Sequence, residues 1–522
     1  MSYQSLIFLF VFLPTLVVVH RAALAWANPM AHTVLLIGSL VFYALGDWTY
    51  LPTLIGSVVF NFLLGRHLNQ LPRKATPRKR WTLAGGIVAN LLLLASHKYG
   101  LVSVERPTVL AGVTALSYAG AIPLGMSFYT LQQITFLVDA SRTQRCRTDF
   151  VSYTLYVTFL AQVVAGPIVR FTRDGLQFTE RVLRRVDREQ LHRGIALLVF
   201  GLAKKTMLAD TLGGIVNPLF TQIADGSQPT MTEAWLAAWG FTLQIYFDFS
   251  AYSDMAVGLG LIFGLKLPLN FDSPLKAKST TDFYCRWHIT MTAFIRDFVF
   301  QPTLNLVRQR VKGPVVRRMI VAWSVATPVS LIVVGLWHGA TTTLVIWGFL
   351  AGVSAVAFQL ISLALKGSSP APNPKRRFVW FGHFATLLSL PCITLFFRVE
   401  NTGDAIVILR SMFSLPDLSW PPVGNAAIWS WEGLRQVGFS SRVASSPLFQ
   451  LAVVGVGSAV AWWAPNTNSI FRLTHDPSVK PTPTRWYWRE STGWAFVAGM
   501  LLVCAILCIT YRATLPVFYG RF

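Results

Sequence analysis

Apolar stretches long enough to cross about 30 Å of hydrocarbon recur from one end of this chain to the other, and nothing constrains its fold more. They lie near residues 5 to 26, 30 to 48, 51 to 65, 82 to 97, 109 to 139, 192 to 212, 234 to 263, 319 to 337, 343 to 365, 378 to 397, 448 to 464 and 493 to 511. Within a bilayer every backbone N–H and C=O must be satisfied by the protein itself, so segments of this length are helices. The expectation is an all-α, polytopic membrane protein with roughly a dozen membrane segments, built as one integral-membrane domain over residues 1 to 522.

Composition supports that reading and excludes an ordinary soluble enzyme: 53% of the 522 residues are hydrophobic and 13% are charged. The net charge of +23 would suggest nucleic acid on a soluble protein. Here the basic residues cluster in short stretches between apolar runs, the distribution that fixes membrane orientation and meets anionic lipid headgroups. Nucleic acid is therefore not an expected partner. The five cysteines, Cys146, Cys285, Cys392, Cys504 and Cys508, have no C-x-x-C spacing and sit in or beside apolar segments. They read as buried thiols, and no metal site is expected. The first 27 residues lack a basic residue before Arg21, so they read as a retained first membrane helix and not as a signal peptide.

Loop charges set the expected topology. Arg66, Arg73, Lys74, Arg78, Lys79 and Arg80 mark a cytoplasmic loop, and counting back three spans places the N-terminus outside. Arg142, Arg145 and Arg147 precede residues 150 to 168, and a second basic run from Arg170 to Arg193 follows them. Both ends of that stretch thus face one side, so it reads as re-entrant, turning at Gly166-Pro167. The same logic makes residues 283 to 307 re-entrant or interfacial, between Lys276, Lys278, Arg286 and the run Arg308 to Arg318. Residues 366 to 377 read as a cytoplasmic linker, and residues 399 to 447 as an external segment where a partner or substrate could dock.

Three constellations could carry chemistry. His338 lies in Gly335-Leu-Trp-His-Gly-Ala340 at the end of an apolar span, where an ionisable group is costly and therefore a functional candidate. Imidazole exchanges a proton near neutral pH, and Gly335 and Gly339 would let a substrate approach the backbone. A packed histidine at a helix end fits the same residues. His288, in Asp282-Phe-Tyr-Cys-Arg-Trp-His-Ile-Thr-Met-Thr292, stands among Arg286, Arg296 and Asp297, a setting that suits a phosphate-bearing ligand or a lipid headgroup. Gln244-Ile-Tyr-Phe-Asp-Phe-Ser-Ala-Tyr-Ser-Asp254 places Asp248 and Asp254 in an apolar run, with Asp248 and Tyr252 on one helical face. These carboxylates bind an ion, relay protons or hold a buried network, and the adjacent hydroxyls and amides favour the network. Gln132, Gln133 and Asp139 form a similar polar stripe, read as packing and positioning. No nucleophile elbow, zinc-protease pair or P-loop is present, which removes the common hydrolases, metalloproteases and ATP-driven pumps.

Arg286-Trp-His288 followed about fifty residues later by Trp337-His-Gly339 resembles the membrane-bound O-acyltransferase (MBOAT) family, in particular its bacterial polysaccharide branch. Leu9 to Pro14, Ile122 to Thr130, Ala165-Gly-Pro-Ile-Val-Arg170, Gly201-Leu-Ala-Lys-Lys205 and Leu243 to Asp254 occur in the order that branch shows. The sequence departs from it in reading Tyr284-Cys-Arg-Trp-His and in having Ala251 for a glycine. The resemblance implies an MBOAT-like fold around an intramembrane tunnel, with His338 as the catalytic histidine and His288 as a second histidine on the donor side. It implies a bacterial inner-membrane O-acyltransferase taking acetyl from cytoplasmic acetyl-CoA, with no bound cofactor, and passing it to hydroxyls of an exported polysaccharide, directly or through a periplasmic SGNH-hydrolase-like partner. Trp287, Trp337 and Arg286 are expected to shape the tunnel and hold the donor, with Asp248, Tyr252 and Gln132 as further tunnel residues.

Other readings of the same residues are D-alanyl transfer to teichoic acid from a carrier-protein thioester, a proton-coupled transporter or flippase, and a scaffold that recruits external enzymes. Direct transfer and an acyl-histidine intermediate both fit.

Overall fold

A computed structural model describes residues 2–72, 76–99, 122–143, 146, 148–179, 187–366, 376–414, 447–474 and 484–511. Every regular element among them is helical. Six stretches, Phe8–Trp26, Pro29–Gln70, Val315–His338, Thr342–Ala364, Trp380–Arg398 and Thr492–Tyr511, are long and apolar enough to cross a membrane. Helices also occupy 82 to 97, 192 to 212, 234 to 263 and 448 to 464. The apolar run 109 to 139 is described only from 122 onward, most of the 366 to 377 linker and of the 399 to 447 segment lies outside the described residues, and so do the C-terminal residues 512 to 522.

The chain falls into two compact units: Met1–Ala203, Ala251–Leu269 and Thr467–Phe522 make the first, and Lys204–Ser250 with Asn270–Asn466 the second. In the first unit α1 (Leu13–Trp26), entered through a π-helical turn at Phe8–Phe12, packs on α2 (Asn28–Asp47). Then α3 (Leu51–Gln70), α4 (Pro77–Lys98) and α5 (Met126–Arg142) are joined by a side-chain network. Gln133 Oε1 accepts from Ser57 Oγ at 2.7 Å and from Asn61 Nδ2 at 2.9 Å, and Asn61 and Asn90 exchange hydrogen bonds at 3.0 and 2.8 Å. Amides at helix contacts act this way because hydrocarbon offers no alternative partner.

The stretch expected to be re-entrant, residues 150 to 168, also lies in this unit. Its helix α6 (Phe150–Thr158) has nine residues, so it covers about 14 Å, too little to cross a bilayer. Asp149 caps its start through Ser152 N at 2.8 Å. After Thr158 the chain turns, and the returning segment is held by Tyr156, whose hydroxyl donates to Val169 O at 2.8 Å. Gly125, with φ 70°, leads into α5 here because a Cβ would lie 1.7 Å from Val163 O. Arg170 closes the hairpin on Asp139 at 2.8 Å. The unit is completed by α7 (Arg188–Ala203), the last residues of α9 (Met231–Ile262), α18 (Thr467–Ile470) and α19 (Thr492–Tyr511).

In the second unit a π-helical turn at Lys204–Ala209 precedes α8 (Asp210–Ala224), and α9 supplies its residues up to Ser250. Residues 283 to 307, expected to be re-entrant or interfacial, form a broken series: α10 (Thr280–Arg286), α11 (Ile289–Ile295), a π-helical turn at Arg296–Phe300 and α12 (Gln301–Arg310). A long hairpin follows, α13 (Val315–His338) against α14 (Thr342–Lys366), then α15 (Arg376–Arg398), α16 (Thr402–Met412) and α17 (Pro447–Trp463). The α13–α14 contact runs over glycines: a Cβ on Gly335, Gly348 or Gly352 would meet Leu344 O, Leu331 O or Pro328 Cα at 2.2 to 2.4 Å.

Candidate active site

His338 is the last residue of α13 and is 3% exposed. Helix α13 stops there because Gly339 turns extended, its N–H still bonding Gly335 O at 3.1 Å. Three aromatic rings surround the imidazole: Trp337 at 4.7 Å, Phe397 of α15 at 4.8 Å and Trp347 of α14 at 5.8 Å between centroids. Phe397 and Trp347 meet it edge-on, at 82° and 86°, which leaves the ring little freedom to rotate. The imidazole thus sits at the carbonyl end of α13, where a helix gathers partial negative charge. At both flanking glycines a Cβ would meet Leu344 of α14, its carbonyl oxygen at 2.2 Å from Gly335 and its Cδ1 at 2.8 Å from Gly339.

His288 sits between α10 and α11, with φ 42°, in the left-handed region that a non-glycine residue adopts only when its surroundings impose it. The imposing residue is Asn270. Its backbone carbonyl accepts from Ile289 N at 2.9 Å. Its Oδ1 accepts from Thr290 Oγ1 at 2.7 Å, Thr290 N at 3.2 Å and His288 Nδ1 at 3.3 Å. Asp272 N donates to Arg286 O at 3.0 Å, completing a two-segment clasp. Phe249 of α9 stands perpendicular to the His288 ring at 4.7 Å, and Tyr246, Phe271 and Phe283 pack around Trp287. Arg286 is paired with Asp282 at 2.8 Å and Asp272 at 3.8 Å.

Asp248 belongs to a buried charged cluster. Lys205 Nζ lies 2.8 Å from Asp248 Oδ1 and 2.6 Å from Asp210 Oδ1, tying the π-helical turn to α9 one residue before Phe249, which meets His288. This matches the network reading of that carboxylate. Tyr252, one turn further along α9, is in the first unit, stacked on Tyr3 at 5.0 Å and accepting from Ala165 N at 3.3 Å. Gln132 is also in the first unit, where its Nε2 donates to Tyr156 O at 2.8 Å and so braces the re-entrant helix. Of the predicted site residues, the second unit contains His338, Trp337, His288, Trp287, Arg286 and Asp248. A cavity of about 500 Å³ in the first unit is lined by Phe62, Arg66, Asn69, Phe136, Cys146 and Phe150, none of them predicted.

Sequence reasoning missed Asn270, Phe249, Trp347, Phe397 and Lys205. Lys205 had a signal, a lysine in an otherwise apolar run; the rings had none, because aromatic residues are common throughout the chain. Of the five cysteines expected to be buried only Cys146 is; Cys392, Cys504 and Cys508 are half-buried, and Cys285, on the short helix α10, is exposed. No cluster of His, Cys, Asp and Glu suited to a metal occurs among the described residues.

Two buried histidines thus stand on an all-helical scaffold, one closing a long apolar span and one held between two short helices. The family described as MBOAT, membrane-bound O-acyltransferase family, matches residues 103–397, more than half of the chain, and the chain belongs to it. It is 29% identical over 514 residues to the peptidoglycan O-acetyltransferase of Helicobacter pylori, covering 92% of each chain. It is 31% identical over 437 residues to a probable alginate O-acetylase AlgI of Azotobacter vinelandii, covering 82% of this chain and 81% of the relative. The teichoic acid D-alanyltransferase of Streptococcus thermophilus is 27% identical over 261 residues, 49% of this chain and 60% of its own length. The chain is a multi-pass membrane O-acyltransferase.

Proposed function

We propose that this enzyme takes acetyl from cytoplasmic acetyl-CoA and transfers it to hydroxyl groups of an exported glycan, with His338 as the general base. The observation that carries the reading is His338 itself, buried, fixed by three aromatic rings and placed at the carbonyl end of a helix. The relatives that match most of the chain are named for O-acetylation of peptidoglycan and alginate, which favours a glycan hydroxyl over teichoic acid.

In the proposed step an imidazole nitrogen of His338 takes the acceptor hydroxyl proton as the hydroxyl oxygen bonds to the acetyl carbonyl carbon. The carbon–sulfur bond breaks, and the departing CoA thiolate takes the proton from the imidazolium. Positioned deprotonation of a weak nucleophile contributes about 10² to 10⁴-fold. The thioester is already activated, so the step needs no metal. The acceptor is the polymer or the hydroxyl of a periplasmic SGNH-like partner. His288, Trp287 and Arg286 serve the donor, on the side where Lys276, Lys278 and the Arg308 to Arg318 run collect cationic charge for its phosphates. That side is the cytoplasmic face of the bacterial inner membrane in this reading, with the N-terminus outside.

The test is incorporation of radiolabelled acetyl from acetyl-CoA into exported glycan by membranes holding native chain or His338→Ala at matched expression. A loss of about 10² to 10⁴-fold in the variant is expected. Undiminished label would remove His338 from the chemistry, and label from a carrier-protein thioester alone would move the enzyme to D-alanyl transfer.

A further inference from the structure

Asn270 is 1% exposed, and its amide cannot be flipped in place. The Thr290 backbone N–H can only donate, so the atom it meets at 3.2 Å is the amide oxygen. That oxygen collects Thr290 N, Thr290 Oγ1 and His288 Nδ1. Two consequences follow from the geometry. An acceptor facing His288 Nδ1 places the proton of the neutral ring on Nδ1 and the lone pair on Nε2. The second consequence concerns the other end of the amide: Asn270 Nδ2 is buried and has no hydrogen-bond partner among the described residues.

A buried NH2 group without an acceptor is destabilising, and one that persists in a folded protein calls for a cause such as a water, an ion or a role in binding or catalysis. This one is a pure donor that cannot rotate to find an acceptor, because the oxygen of the same amide is pinned by three donors. Its complement is a pure acceptor. A thioester carbonyl oxygen is such a group, and it gains negative charge as acyl transfer proceeds, so a fixed N–H donor next to it acts more strongly in the transition state than in the ground state. The segment that follows, Lys276, Lys278 and Arg286, supplies the cationic surroundings that a phosphate-bearing thioester requires.

We propose that Asn270 is a donor-binding residue of this enzyme: through Oδ1 it sets the conformation and tautomer of His288, and through Nδ2 it donates to the carbonyl oxygen of the acyl thioester. The proposal rests on the acyl-CoA reading above, and its test separates the two. Detergent-solubilised full-length chain is titrated with two CoA thioethers of equal length, one carrying a ketone carbonyl near the sulfur and one a plain propyl group. The readout is the ratio of their dissociation constants, which a partly misfolded sample leaves unchanged because both ligands report the same folded fraction.

Native chain is expected to favour the ketone by about tenfold. Asn270→Asp keeps an acceptor for Thr290 and His288 but faces the carbonyl with an oxygen, so its ratio should fall to one or below. Thr290→Val, which loosens the clasp while leaving Nδ2 in place, should keep the native preference. A native ratio of one, or an Asn270→Asp ratio equal to native, overturns the assignment of Asn270. If native chain binds neither thioether, the acyl-CoA reading falls and the assignment falls with it.

Discussion

Replacing Lys205 by Met should destabilise this protein far more than replacing its partner Asp248 by Asn. The cluster holds one cation between two anions, with Nζ 2.6 Å from Asp210 and 2.8 Å from Asp248, and all three side chains are at least nine-tenths buried. Lys205→Met fills the volume but leaves two carboxylates facing each other without the ammonium between them. Removing one partner of a buried pair costs about 3–5 kcal/mol, or about two to three and a half powers of ten in the folding equilibrium. Asp248→Asn has a different sign of charge balance: one cation and one anion remain, and the amide oxygen still accepts from Lys205. Its cost is that of a weakened hydrogen bond, about 0.5–1.5 kcal/mol. The assay is loss of monodisperse protein on heating in detergent, followed by size exclusion, for native chain and both variants. A Lys205→Met midpoint equal to native, or an Asp248→Asn midpoint as low as that of Lys205→Met, would refute the reasoning.

Gly335→Ala would put a Cβ 2.2 Å from Leu344 O, so α13 and α14 must separate at a cost of about 1–3 kcal/mol, and the same heating assay should show a lowered midpoint. Phe397→Leu frees the His338 ring on one side, and acetyl incorporation should fall about 10 to 100-fold while the chain still elutes as native protein. Burial works to raise the Asp149 carboxyl, but the Ser152 hydroxyl at 2.5 Å and amide at 2.8 Å outweigh it and hold the group below its ordinary value. A depressed folded-state value means that Asp149 contributes its full stability above the ordinary carboxylate range and loses it as pH falls through the folded value. Asp149→Ala should therefore cost about 1 kcal/mol of stability near neutral pH, read as a lowered melting midpoint, and converge with native chain in strong acid.

The helical segments were legible because hydrocarbon admits one local answer: an apolar run of membrane length has to satisfy its own backbone, whatever surrounds it. Loop charge led to the expectation that 150 to 168 does not cross, and α6 is nine residues long, too short to cross by itself. The two histidine motifs stood out for the same reason, since an ionisable group in an apolar run needs a cause. What holds those histidines did not show in the sequence. Asn270 lies eighteen positions before His288, and Phe397 about sixty after His338; only folding brings an amide oxygen to one ring and an aromatic edge to the other. That Gly335 lets α14 pack closely, with Leu344 O 2.2 Å from where a Cβ would stand, also shows only in the folded chain. Asp248 and Tyr252 share a helical face by spacing, yet one meets Lys205 and the other Tyr3, because periodicity orders side chains along a helix and only packing chooses the neighbour on each turn. The sequence by itself thus determined that the chain is a helical membrane protein and which residues are candidates for its chemistry; tertiary structure decided their partners, because a contact is a property of two elements and a motif records only one.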